Sequence, residues 1–192
     1  MDYPLNSQGI DQANRLAAFW KSNGLSFDLI ISSPLQRAAR TAEIIATQLK
    51  APIQFDAAWK ERHFGQLQGE PLERIKQYIP AVDFFHPYDP IGSDGESQLE
   101  LYNRACMAIQ NIVRQPAGAY LVVSHGGILN KALYAIMGIT PQGHYNSPIF
   151  HFGNLAYAQL RYNSATRQWA VLSLNNHFKS ERDEGLDFWT ID

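Results

Sequence analysis

The stretch Ala119-Tyr120-Leu121-Val122-Val123-Ser124-His125-Gly126-Gly127 decides how the chain is read. Tyr120 to Val123 is a short apolar run rich in β-branched residues, the pattern of a buried parallel strand. Ser, His and two glycines follow at once. Ile128 to Met137 then has the composition of a helix. A strand that ends in His-Gly-Gly and feeds a helix places an imidazole at the carboxyl end of a sheet, where open α/β sheets bind ligands. The glycines permit a tight turn and let backbone N–H groups approach an anion. A buried histidine that merely closes a strand is the alternative, and the rest of the chain has to decide.

The 192 residues suit one domain with a sizeable core, or at most two small ones. Sixteen Lys and Arg against eighteen Asp and Glu leave a formal charge of −2. No polybasic surface for nucleic acid is expected from that balance. The single cysteine, Cys106, rules out a disulfide framework and fits a cytoplasmic setting. No apolar run is long enough to span a membrane, and no signal-peptide pattern opens the chain.

Outward from the quoted stretch, strands and helices alternate. Asn6 is placed to cap a helix with Ile10, Ala13, Leu16, Ala17 and Trp20 on one face, closed by Asn23-Gly24. Phe27 to Ile31 reads as a strand. In Ser33-Pro34-Leu35-Gln36-Arg37, Ser33 is read as an N-cap, Pro34 as the first helical residue and Gln36 as the capping-box partner. Arg37 then lies in a first helical turn, where a cation opposes the macrodipole unless an anion sits there too. A surface ion pair with Glu43 or Asp56 is the alternative. Ala51 to Phe55 is a strand. Trp59 to Gly69 lacks a period and reads as a loop over a site. Leu72 to Tyr78 is a short helix.

Pro80 to Gly95, with Pro80, Pro87 and Pro90 and the aromatics Phe84, Phe85 and Tyr88, is a long irregular segment of the kind that forms lids or binding loops. Ser97 caps a helix over Leu99 to Val113, on which Arg104 is read as a surface or salt-bridged residue. Leu155 to Tyr162 and Gln168 to Leu174 form a hairpin. This order predicts a three-layer α/β fold with a mostly parallel central sheet and right-handed crossovers, with Leu29, Ile31, Leu121 and Val123 buried in it.

Several stretches in register resemble the histidine phosphatase superfamily, the phosphoglycerate mutase-like fold. They are Asp2-Tyr3-Pro4-Leu5-Asn6-Ser7-Gln8-Gly9, Ser32-Ser33-Pro34-Leu35-Gln36-Arg37-Ala38, Trp59-Lys60-Glu61 with Phe64-Gly65 and Gly69, Gly95-Glu96-Ser97, and Ser124-His125-Gly126-Gly127. The resemblance implies that Arg37 neutralises a phosphoryl group and Glu61 protonates the leaving oxygen. It implies that His125 contacts the phosphoryl oxygens, with Ser124 and Gly126 beside it. Phe84, Phe85 and Tyr88 would meet the leaving group, whose contacts must supply the specificity that a generic phosphoryl pocket lacks. No metal or other cofactor is implied. The expected ligand is phosphate or a phosphorylated small molecule, with a homodimer possible and neither nucleic acid nor membrane as partner.

One departure stands out. The family opens with a core strand ending in Arg-His-Gly, whose His is the nucleophile. None of the six histidines here (His63, His86, His125, His144, His151, His177) lies between an Arg and a Gly at the end of an apolar strand. A start assigned at an internal Met, deliberate trimming and genuine degeneration are the explanations. The persistence of Arg37, Glu61 and His125 favours a lost upstream segment. The expectation is an N-terminally truncated single domain over 1–192 that lacks the first core strand. Its complete form would be a phosphomonoester hydrolase acting through phosphohistidine, and the 192 residues alone would be inactive. A phosphoglycerate mutase-type enzyme and a non-catalytic phosphate-binding or interaction protein are the alternatives. Gly126-Gly127, where the mutases resemble Gly-Asn, favours the phosphatase.

Overall fold

The computed structural model describes residues 2–71, 74, 87–142, 148–150 and 152–175. Asn6 opens the first helix, its Oδ1 accepting the Gly9 N–H at 2.8 Å, and α1 runs Ser7–Ser22. The chain then alternates through β1 (Leu29–Ser32), α2 (Gln36–Leu49), β2 (Ile53–Phe55), α3 (Gln98–Val113), β3 (Tyr120–Val123) and α4 (Gly126–Met137). A hairpin of β4 (Tyr157–Asn163) and β5 (Gln168–Asn175) follows. Ser97 closes a reciprocal capping box with Glu100 at the start of α3, and Gly138 ends α4 at φ 71°, a left-handed turn that suits glycine.

The sheet is parallel in the order β2-β1-β3, with Ile30 opposite both Ile53 and Leu121. The period-2 pleat of β1 builds two cores. Ile30 joins Leu16, Ala17 and Trp20 of α1 and Ala42 and Ile45 of α2. Ile31 points the other way, to Trp59, Leu101, Ala105 and Ala108 of the α3 side and Ile128 and Ala132 of α4. Helices therefore cover both faces, as the alternation predicts.

The second edge of β3 pairs with no described strand, and β4-β5 is a separate antiparallel sheet. A cavity of about 360 Å³ runs along that edge. Leu121, Val122 and Val123 line it together with Leu16, Trp20, Ile45 and the residues entering the hairpin, Leu155, Ala156 and Tyr157. All four β3 residues are only half-buried. This corrects the expected burial of Leu121 and Val123: the strand lies in the interior of the fold, but one edge borders the cavity. Leu29 is also half-buried, and only Ile31 of the four is fully so. Among the described residues no strand precedes α1, which matches the phosphoglycerate mutase-like fold without its first core strand.

Two further expectations change. Helix α2 begins at Gln36 rather than Pro34, with Leu35 at the N-cap position and no side-chain cap of its own. The helix end is served from a distance, since the Gln36 N–H donates to Asp2 Oδ1 at 2.6 Å. Strand β1 begins at Leu29, because Phe27 turns instead onto Trp20, ring centroids 5.7 Å apart. Of the expected helix at 72–78 only Arg74 is described, in helical conformation, and the part of the aromatic loop at 80–86, with Phe84 and Phe85, lies outside the described residues. The remainder of that loop includes a single turn of 3-10 helix, Ile91–Ser93, anchored by buried Ile91.

Candidate active site

The carboxyl ends of β1 and β3 bring two short segments together. Ser32 and Ser33 follow the β1 pleat into full burial, and the Ser33 N–H donates to the Val123 carbonyl at 3.0 Å. One residue past Ser124, His125 is 6% exposed, with its Nε2 2.8 Å from Ser33 Oγ. Ser33 Oγ also accepts the Leu35 N–H at 3.2 Å. The residue read as a helix cap thus serves mainly to orient an imidazole. Burial pushes the His125 pKa down to about 4, aided by the Arg37 charge and opposed by Asp2. The ring is therefore neutral at pH 7 in the free site, and it serves there as a hydrogen-bonding group rather than a standing positive charge.

Glu61 is held by the start of α4. Its Oε2 accepts the Gly127 N–H at 3.2 Å and its Oε1 accepts the Arg62 N–H at 2.9 Å. The two bonds fix the orientation of its carboxyl group at the start of the helix. Arg104 fixes the loop that carries Glu61. Its guanidinium makes a two-pronged pair with Glu96, Nε–Oε1 2.8 Å and Nη2–Oε2 2.6 Å. The same group donates Nη1 to the carbonyls of Ala58 at 2.8 Å and Lys60 at 2.7 Å. The Ser124 hydroxyl adds a bond to the Trp59 carbonyl at 2.6 Å. Arg104 is salt-bridged, as the sequence suggests, but the bridge locks the acid-bearing loop.

Arg37, Glu61, Ser124, His125 and Gly126 all line the cavity beside β3. Arg37 and Glu61 also line a second, wider cavity of about 1010 Å³, whose walls include Asp2, Tyr3, Arg62, His63, Phe64, Glu96 and Arg104. These two residues therefore stand where a narrow pocket meets a broad cleft. Tyr88 is 64% exposed and lines neither cavity. Among the described residues no group of three or more His, Cys, Asp or Glu is placed to hold a metal ion, and no helix is long and apolar enough to cross a membrane.

Sequence reasoning overlooked Asp2 as the anion at the α2 terminus, Ser33 as the partner of His125, and Arg104 as the loop clamp. Asp2 and Ser33 meet their partners 34 and 92 residues away, and the carbonyls that Arg104 binds on the Glu61 loop lie 43 to 46 residues from it. Side-chain periodicity carries no signal over such separations.

Gly127 offers a direct test of the Glu61 placement. A Cβ there would collide with Glu61 Oε1, whereas one at Gly126 would meet open space. The obstructing atom ends a flexible side chain, so Gly127→Ala should displace the carboxylate and spare the fold. Under the proton-donor role that the resemblance implies for Glu61, the expected result in a form that carries the nucleophile is a loss of roughly 10²-fold in kcat on an alkyl phosphate, the scale of a general acid. The loss on p-nitrophenyl phosphate, whose leaving group needs little protonation, should be much smaller. Equal losses on both esters would place Glu61 outside the proton-transfer step.

The chain is 34% identical over 142 residues to the "Uncharacterized phosphatase PhoE" of Bacillus subtilis (strain 168), an alignment covering 73% of this chain and 68% of that protein. It is 31% identical over 147 residues to the "Probable phosphoglycerate mutase GpmB" of Yersinia enterocolitica, over 73% of this chain and 66% of the relative. It thus spans about two thirds of the length of these curated relatives. The solved structure of Bacillus stearothermophilus YhfR superposes with a TM-score of 0.73 at 28% identity, covering 89% of this chain and 84% of that one. The family described as "Histidine phosphatase superfamily (branch 1)" matches residues 1–177, and the chain therefore belongs to the histidine phosphatase superfamily.

Proposed function

We propose that this chain supplies most of the active site of a phosphomonoester hydrolase that works through a phosphohistidine, with the nucleophilic His carried on a strand that adds to the open edge of β3. The convergence of Arg37, Glu61 and His125 on one cavity, which continues along that edge, is the observation that carries the reading. A phosphoryl group in transfer spreads charge over its oxygens. A forked guanidinium and a neutral imidazole donor are suited to receive it. In the first step the incoming His nitrogen bonds to phosphorus as the ester P–O bond breaks, and Glu61 gives a proton to the departing oxygen. In the second step Glu61 takes a proton from water as it attacks the phosphohistidine, which frees phosphate and restores both residues.

The 192 residues form one domain in this reading and bind phosphate or a phosphorylated small molecule. Gly126-Gly127, where the mutases resemble Gly-Asn, favours hydrolase over mutase. A second reading, a phosphate-binding protein without turnover, rests on the six histidines, none of which has the sequence setting of the nucleophile. The test is to extend the chain by the residues encoded in frame upstream of Met1 and assay p-nitrophenyl phosphate hydrolysis, with acid-labile phosphate labelling. Turnover with label on an upstream His is expected. An inert, unlabelled extended form would put the binding-protein reading first.

A further inference from the structure

In the neutral His125 ring one nitrogen carries a proton and the other a lone pair. Which nitrogen holds the proton decides whether the ring can donate to a phosphoryl oxygen from the side that faces the cavity. Nε2 lies 2.8 Å from Ser33 Oγ, and the serine is fully buried. The Ser33 hydroxyl oxygen already accepts the Leu35 N–H at 3.2 Å, and the Ser33 carbonyl accepts the Ser32 hydroxyl at 3.0 Å. Among the described residues, His125 Nε2 is the one acceptor within reach of the Ser33 hydroxyl proton. The other ring nitrogen, Nδ1, makes no hydrogen bond among the described residues, yet it is not sealed from solvent. His125 lines the narrow cavity beside β3, and Nδ1 is the nitrogen left open to it.

A buried hydroxyl with one acceptor in reach donates to it, because an O–H stripped of water and left unpaired is costly. Nε2 is then the lone-pair nitrogen, and the ring proton sits on Nδ1. The reverse arrangement would strand the Ser33 proton and aim a lone pair into a cavity that also takes in Arg37. We propose that Ser33 is a positioning residue that holds neutral His125 as the Nδ1–H tautomer, which makes Nδ1 the atom that donates to a phosphoryl oxygen. The donor role rests on the phosphoryl-site reading above, whereas the tautomer stands on the Ser33 contact alone. Avoiding one stranded buried donor corresponds to a bias of roughly tenfold or more towards the Nδ1–H form.

The tautomer can be read on the 192-residue chain itself, with no need of turnover. Long-range proton–nitrogen correlation NMR at pH 7 distinguishes the two ring nitrogens, and the His125 signals are assigned by their loss in His125→Gln. Expected in the unsubstituted chain is a protonated Nδ1 and a bare Nε2. Ser33→Ala should abolish that bias and Ser33→Thr, which keeps the hydroxyl, should retain it; a merely structural role for Ser33 would not move the tautomer. Inorganic phosphate should shift Nδ1 in the unsubstituted chain and bind Ser33→Ala roughly tenfold more weakly. An Nε2–H ring in the unsubstituted chain would overturn the proposal whether or not the variants fold. A bias unchanged in Ser33→Ala would overturn the role of Ser33. An Nδ1–H ring that saturating phosphate leaves unmoved would overturn the phosphoryl-site reading, and the donor role with it, while upholding the tautomer.

Discussion

The 192-residue chain alone should hydrolyse p-nitrophenyl phosphate slower than its strand-extended form by roughly four to six orders of magnitude, the scale of losing a covalent nucleophile. His125 cannot take over that task. Its Nε2 is engaged with Ser33 Oγ in a buried pair, and in the role proposed for it the ring faces the equatorial oxygens, from where it cannot also attack phosphorus in line. Glu61 cannot both attack and donate the proton. What remains is electrostatic, and electrostatics without a nucleophile gives only residual acceleration.

Stability should move with activity. The edge of β3 is unpaired among the described residues, and Leu121 and Val123 are half-buried against the cavity. An added strand would pair the exposed N–H and C=O groups and finish burying those side chains, a gain on the order of 3 kcal/mol from the apolar contacts alone. Urea unfolding of the two forms reads this directly. Robust turnover by the 192-residue form, or equal midpoints for both, would mean that the cavity is not a strand acceptor and that the nucleophile has been misassigned.

The second large effect concerns the proton on His125. The folded chain holds its pKa near 4, against an ordinary value of 6.5. Between those values the unfolded chain binds a proton that the folded chain refuses. Stability contributed by the neutral imidazole is therefore complete above pH 6.5 and is lost as pH falls towards 4. The full loss is about 3 kcal/mol. Urea midpoints measured from pH 7 to pH 4 should fall on that limb, and His125→Gln should flatten it. Parallel curves for the two proteins would show that other groups govern the acid limb. A bound phosphate should act in the opposite sense, raising the pKa by offering the imidazolium an anion in place of Arg37 alone. His125 should then titrate visibly higher by NMR in saturating phosphate.

The alternation of strands and helices was legible because each element carries local signals. The apolar run of β3, the Asn6 and Ser97 caps and the stop at Gly138 all act within a few residues. The candidate site was legible only through residue types in motif context. Arg37, Glu61 and His125 stand out as chemistry-bearing groups, but nothing in their spacing tells what holds them. Ser33 shows why. A serine before Pro-Leu-Gln is a sound helix cap by local rules, and the fold overrides them because His125 arrives beside it from 92 residues away. Asp2 then supplies to Gln36 the acceptor that Ser33 does not provide. The half-burial of Leu121 and Val123 was equally hidden, since hydrophobic patterning reports what a strand would bury and not whether its neighbour is present.

The most direct measurement is a crystal structure of the 192-residue chain grown in saturating phosphate. The expected result is one phosphate in the cavity beside β3, within hydrogen-bond distance of both the Arg37 guanidinium and the His125 ring, with Glu61 facing it from the broad cleft. A phosphate bound elsewhere while this cavity stays empty, or an Arg37 side chain turned out to solvent, would contradict the phosphoryl-site assignment.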